Sequence, residues 1–182
     1  MTVHKALFLD RDGVVNADRG YVYRREDVVF IPGIFGLCRV AKARGFLLFI
    51  VTNQAGIGRG YYSERDFEEL MGWMCGVFAD QHAAIDRVYH CPTHPEHGIG
   101  AYKVESPFRK PGPGMILQAR DEFNLDLPAS CLVGDKGTDI EAGLAAGVGR
   151  NFLLLEQTQA VARAGGAWIT VTDLHQVESL LP

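Results

Sequence analysis

Six short apolar runs without polar alternation constrain this chain most: Ala6–Leu9, Phe46–Val51, Val88–Tyr89, Cys131–Val133, Phe152–Leu155 and Trp168–Val171. A strand with one wet face alternates polar and apolar residues. Runs that do not alternate belong to strands buried on both faces, as in a parallel sheet covered by helices. Helical patterns lie between the runs. Ser63-Glu64-Arg65-Asp66 reads as a capping box with aspartate in the glutamate position. Behind it Phe67, Leu70, Met71, Met74 and Phe78 fall at helical spacing. Pro113–Phe123 opens with a proline suited to a first turn. Asp139–Ala146 is a short helix of small residues, and Asp173 is placed to cap Leu174–Leu181. Strands alternating with helices predict an α/β fold, a three-layer, doubly wound parallel sheet. With 182 residues and scattered rather than repeated glycines, the chain is expected to be one domain over residues 1–182.

The charge balance narrows the choice of partners. Eighteen Lys and Arg against 22 Asp and Glu give a formal charge of −4, which argues against nucleic acid. Cys38, Cys75, Cys91 and Cys131 form no CxxC pair, so a reducing compartment is expected. The first apolar run is too short for a signal peptide, and no stretch approaches a membrane span. The expectation is a cytoplasmic protein that binds neither nucleic acid nor membrane. Without an obvious exposed apolar stripe, it is expected to be a monomer.

Polar residues gather where the strands end. Asp10 and Asp12 follow the first run, Thr52, Asn53 and Gln54 the second, and Asp135 and Lys136 the Cys131–Val133 run. In a parallel sheet these ends share one edge, where ligands bind. Any one of these endings is an ordinary turn; three together make a site. Asp10 and Asp12, two residues apart on an extended segment, would project to one side. Carboxylates that close resist ionising unless a cation joins them. Magnesium suits oxygen ligands and commonly shares its shell with phosphate, and Asp135 is the natural third acidic ligand. Lys110 and Lys136 supply positive charge and Thr52 a hydroxyl. A nucleophile, an acid/base, a metal and cationic clamps together describe phosphoryl transfer.

These residues carry a resemblance. Asp10-Arg11-Asp12-Gly13-Val14-Val15, Thr52-Asn53, Lys110 in Arg109-Lys110-Pro111, and Gly134-Asp135-Lys136-Gly137-Thr138-Asp139 resemble the four ordered motifs of haloacid-dehalogenase (HAD) superfamily phosphatases. The match spans nearly the whole chain and implies a Rossmann-like, HAD-like fold. Only 15 residues separate Asn16 from Pro32, so no cap domain fits there. Asp18-Arg19-Gly20-Tyr21, the stretch Thr52 to Gly60 and Arg109 to Met115 resemble more narrowly the heptose bisphosphate phosphatases. Histidinol-phosphate phosphatases share much of the pattern. The resemblance implies a sugar phosphate substrate, Asp10 as nucleophile and Asp12 as acid/base. Magnesium would be held by Asp10, Asp135 and the backbone carbonyl of Asp12, and the phosphoryl group by Thr52 and Lys110. Asp139 would orient Lys110 or a metal-bound water. Arg109, Lys136, Asp18 to Tyr21 and Asn53 to Ala55 would contact the rest of the substrate, with Arg59 or Arg109 meeting a second phosphate.

The chain departs from that pattern in one loop. The family's zinc site, CxH followed by CxC, meets Cys91-Pro92-Thr93-His94 and Ser106-Pro107-Phe108 here, so three of four ligands are missing. His90, Cys91, His94 and His97 bunch within eight residues and would leave the far end of the loop untied. Zinc is therefore not expected. Residues 91–109 are expected to act as a substrate-specificity loop held by packing of Pro92, Pro95, Tyr102, Pro107 and Phe108. A signalling receiver domain also sets aspartates and a lysine at strand ends, but it needs no acid/base two residues past its nucleophile.

Overall fold

A computed structural model describes residues 2–155 and 167–182. Each apolar run forms a strand: β1 (Lys5–Leu9), β2 (Phe46–Asn53), β3 (Arg87–Cys91), β4 (Cys131–Gly134), β5 (Arg150–Leu154) and β6 (Ile169–Val171). They pair in parallel in the order β3-β2-β1-β4-β5-β6. β2 outruns its apolar stretch because Thr52 and Asn53 continue the ladder opposite His90 and Cys91.

Side-chain alternation splits each strand between two cores. Leu7, Leu9, Leu48, Ile50, Val133 and Phe152 pack with helices α1 (Ile34–Ala43), α3 (Glu64–Asp80) and α6 (Leu174–Leu180). Ala6, Phe8, Phe49, Val51 and Leu132 face the other way, onto α4 (Gly114–Phe123) and α5 (Gly137–Ala146). A one-turn helix, α2 (Ala55–Gly58), follows β2. This is the three-layer α/β architecture the sequence predicts. The strand order reverses at β1, so a crevice opens beyond the ends of β1, β2 and β4.

The helix starts have local causes. Ser63 Oγ accepts from the Asp66 backbone N–H at 3.1 Å and Asp66 accepts from the Ser63 N–H at 2.8 Å, completing the capping box of α3. Asp173 Oδ1 accepts from Gln176 N–H at 3.0 Å and caps α6. Replacing Asp173 by alanine is expected to cost about 1 kcal/mol, read as a lower urea midpoint at unchanged slope. α1 has no such signal. Its N-cap is Gly33, with φ 88° and no capping side chain.

The loop between β3 and Lys110 ties itself down with backbone bonds and with side chains, Tyr102 among them. His94 N–H donates to Tyr102 O at 3.0 Å and Ile99 N–H to Gly58 O at 2.8 Å. Tyr102 packs against the core and donates its hydroxyl to Glu64 Oε1 at 2.8 Å. Phe108 contradicts its expected packing role: 41% of it is exposed.

Candidate active site

Asp10 leaves β1 at the point where the strand order reverses, its N–H still bonded to Val133 O at 3.0 Å. Its carboxylate meets Lys110, whose Nζ lies 2.7 Å from Asp10 Oδ1, 2.6 Å from Asp139 Oδ1 and 2.8 Å from Val51 O. Lys110 is buried with both carboxylates. Asn53 fixes the lysine's backbone from both sides: its Nδ2 donates to Lys110 O and its Oδ1 accepts from Lys110 N–H, each at 3.0 Å. Asp139, in the first turn of α5, also accepts from Lys136 N–H at 3.0 Å. Asp135 arrives from β4 against Gly13. Gly13 has φ 96°, and a Cβ there would fall 2.2 Å from Asp135 Oδ2, so only glycine lets the β1 loop pass so close.

The charge arrangement is one-sided. Among the described residues, Asp10, Asp135 and Asp139 are the only trio whose ligand atoms all lie within 4.8 Å of one another. Burial would lower the pKa of Lys110, but Asp10 and Asp139 outweigh it and hold the ammonium charged beyond its usual range. Asp10 itself is raised by burial, and by Asp139 and Asp12, against the pull of Lys110. Burial first, then Asp10, pushes the Asp135 carboxyl up to about 8. Asp135 Oδ1 is buried without a hydrogen-bond partner. Lys136 offers only partial relief, its Nζ 3.9 Å from Asp135 and 3.0 Å from Asp18. Three crowded carboxylates, one with an orphaned oxygen, fit a small divalent cation with oxygen ligands.

Asp12 lines the same cavity as Asp10, although the segment between them turns rather than running extended. Asp12 Oδ1 accepts from Arg11 Nε at 3.2 Å, Arg11 Nη2 at 2.9 Å and Asn16 Nδ2 at 3.0 Å. Its Oδ2 accepts from Gln54 Nε2 at 3.1 Å. The close carboxylate partners of Asp10 are instead Asp135 and Asp139.

A cavity of about 460 Å³ brings Asp10, Asp12, Asp18, Gly20, Tyr21, Thr52, Asn53, Gln54, Ala55, Arg109, Lys110 and Lys136 together. Asp135 lines an adjoining cavity with Gly13 and Asp18. Two expected residues lie outside the lining: Arg19 is exposed, and Arg59 sits apart, its Nε buried without a partner. Arg109 does line the cavity, its Nη1 bonded to Thr93 O at 3.2 Å. Among the described residues the histidines and cysteine of the loop bring no three ligand atoms together, although the His94 and His97 rings pack at 4.6 Å. His90 stacks on Phe67 and faces Glu64, Cys91 Sγ pairs with Thr93 Oγ1 at 3.2 Å, and His94 Nδ1 accepts from the backbone N–H groups of Glu96 and His97. Sequence reasoning misses Tyr62 and Thr138, which also line the site, and Arg11, which is wholly buried behind it. Only the adjacency of Arg11 to Asp10 and Asp12 in the motif signals that role.

Comparison with known proteins agrees with this geometry. The HAD-hydrolase-like family model matches residues 107–166. A D-glycero-α-D-manno-heptose-1,7-bisphosphate 7-phosphatase of Burkholderia mallei is 62% identical over 90% of this chain and 87% of its own length. A Vibrio cholerae relative named for the β anomer is 49% identical over 86% of this chain and 88% of its own. The crystal structure of D,D-heptose 1,7-bisphosphate phosphatase from B. bronchiseptica, complexed with magnesium and phosphate, superposes with a TM-score of 0.81. Its identity is 26%, and the match covers 97% of both chains. By fold, by ordered motifs and by identity across most of both chains, this chain belongs to the heptose-1,7-bisphosphate 7-phosphatases of the HAD-like hydrolases.

Proposed function

We propose that the chain hydrolyses the C7 phosphate of D-glycero-D-manno-heptose 1,7-bisphosphate through an aspartyl-phosphate intermediate. The observation that carries this is the Asp10–Lys110–Asp139 cluster beside Asp135, with Asp12 on the same cavity wall. Asp10 attacks phosphorus, and the bond to the C7 oxygen breaks. Asp12 gives that oxygen a proton, then takes one from the water that displaces Asp10 and frees inorganic phosphate. Lys110 and Thr52 hold the phosphoryl oxygens. Magnesium would be held by Asp10, Asp135 and the Asp12 backbone carbonyl, and would supply positive charge at the phosphate. Asp139 keeps Lys110 aimed at Asp10. Arg109 and Lys136, with Asp18 to Tyr21 and Asn53 to Ala55, bind the sugar and its second phosphate.

Among the described residues no cap closes the site, so the loops, 91–109 foremost, set specificity. A receiver domain accounts poorly for Asp12, which lines the cavity within a network of donors. No described helix is long and apolar enough to cross a membrane. The test compares kcat/KM for both anomers of heptose bisphosphate, histidinol phosphate and fructose 1,6-bisphosphate. One heptose anomer is expected to lead histidinol phosphate by roughly 10²-fold, because cavity groups left unpaired by the wrong substrate cost binding in the transition state. Preference for histidinol phosphate would overturn the substrate assignment.

A further inference from the structure

Hydrogen bonds link four side chains of the cavity wall, Tyr62, Gln54, Asp12 and Thr52. Tyr62 Oη donates to Gln54 Oε1 at 2.5 Å, and Gln54 Nε2 donates to both Asp12 Oδ2 at 3.1 Å and Thr52 Oγ1 at 2.8 Å. Gln54 and Thr52 are buried, and Tyr62 is 7% exposed. We propose that Tyr62 is a positioning residue: by fixing the amide of Gln54 it aims Asp12 Oδ2 at the leaving oxygen. This deepens the reading of Asp12 as the acid/base and rests on it.

The count of donors around Gln54 fixes which way its amide faces. A glutamine amide presents an oxygen at one corner and N–H groups at the other, and nothing in its shape selects between them. Here both N–H contacts are spent on the catalytic wall, so the oxygen must face away and needs a buried donor. Tyr62 is that donor. Were the amide turned over, its oxygen would oppose the Asp12 carboxylate and the aim of Oδ2 would be lost. Oδ1 is occupied by three N–H contacts from Arg11 and Asn16, which leaves Oδ2, with its single donor, as the oxygen that exchanges a proton with substrate. Tyr62 is itself held. Its ring stacks on Tyr23 at 5.0 Å and 6°, and a Cβ at residue 56 would fall 2.2 Å from its Cε1, so Gly56 makes room for it.

The test is Tyr62→Phe, which keeps the ring and removes the donor. Its kcat/KM is measured on the heptose bisphosphate and on p-nitrophenyl phosphate, whose leaving group departs without a proton. This parameter reports only steps through loss of the leaving group. The expected loss is about 10-fold on the sugar phosphate and about 2-fold or less on the aryl ester, since misdirected general-acid catalysis costs only the substrate that needs it. The double variant Y62F/Q54A should lose no more than Q54A alone. Equal losses on both substrates, or additive losses in the double variant, would overturn the proposal. Asp12→Asn is run alongside. If it keeps full kcat/KM on the sugar phosphate, the acid/base reading beneath the proposal fails; if it loses it and Tyr62→Phe shows no bias, only the relay fails.

Discussion

Asp10→Asn is expected to lower turnover by at least about 10⁴-fold while the protein stays folded, because a covalent route without its nucleophile has no first step. The two effects should have opposite signs. Asp10 is 6% exposed, and burial with Asp139 and Asp12 raises its carboxyl pKa despite Lys110 at 2.7 Å. A carboxyl whose folded pKa lies above its unfolded value weakens the fold once pH exceeds the unfolded value, since the folded state resists the charge. An amide of the same size removes that repulsion, and Lys110 keeps Asp139 as its counter-ion at 2.6 Å. The melting temperature of Asp10→Asn in EDTA should therefore equal or exceed that of the wild type. Phosphate release measured with magnesium supplies the other half. A folded variant retaining more than about 1% of wild-type kcat/KM would remove Asp10 from the nucleophile's role, since losing the attacking group costs far more than that.

What the sequence makes legible follows from how local each cause is. The strands show because burial on both faces leaves apolar runs that no other element needs, and α3 and α6 show because Ser63 and Asp173 are local start signals. α1 has Gly33 where a capping side chain would stand, so only the spacing of its buried Ile34, Leu37, Cys38 and Ala41 marks it. Asp10 and Asp135 are legible together because a parallel sheet sends its strand ends to one edge, whereas Lys110, in the loop between β3 and α4, is marked only by its Arg109-Lys110-Pro111 motif. The hydrogen-bond partners of Asp12 are not legible, because a turn after one strand end, which has no period, brings Arg11, Asn16 and Gln54 to it. Phe108 misleads for a related reason: an aromatic in a loop has no period to say which way it points. Tyr62 is hidden most deeply. Eight residues from Gln54, its role depends on the turn through Gly56 that brings its hydroxyl back to the amide.

Lys110→Met should be the most destabilising single change at the site. The side chain is buried, and its ammonium answers Asp10 and Asp139 at 2.7 and 2.6 Å. Desolvation would strip its proton, but the two carboxylates raise its pKa above the usual lysine value. A lysine shifted this way adds stability below its unfolded pKa and loses it only as pH climbs through the higher folded value, so at neutral pH the whole contribution is present. Methionine fills similar space without charge and strands Asp10 and Asp139 beside Asp135. Breaking a buried pair in this way costs about 3–5 kcal/mol, measured as the drop in unfolding free energy in EDTA. Two conditions should shrink the deficit. Lower pH lets the stranded carboxylates take up protons, and added magnesium offsets their charge where the lysine no longer does. Turnover should stay at least about 10²-fold down in saturating magnesium, because the lost cation also faces the transferring phosphoryl group. A variant as stable as wild type in EDTA would mean that desolvation of Lys110 cancels what its two partners return. The pairs would then serve only to aim the ammonium, and turnover alone would register their loss.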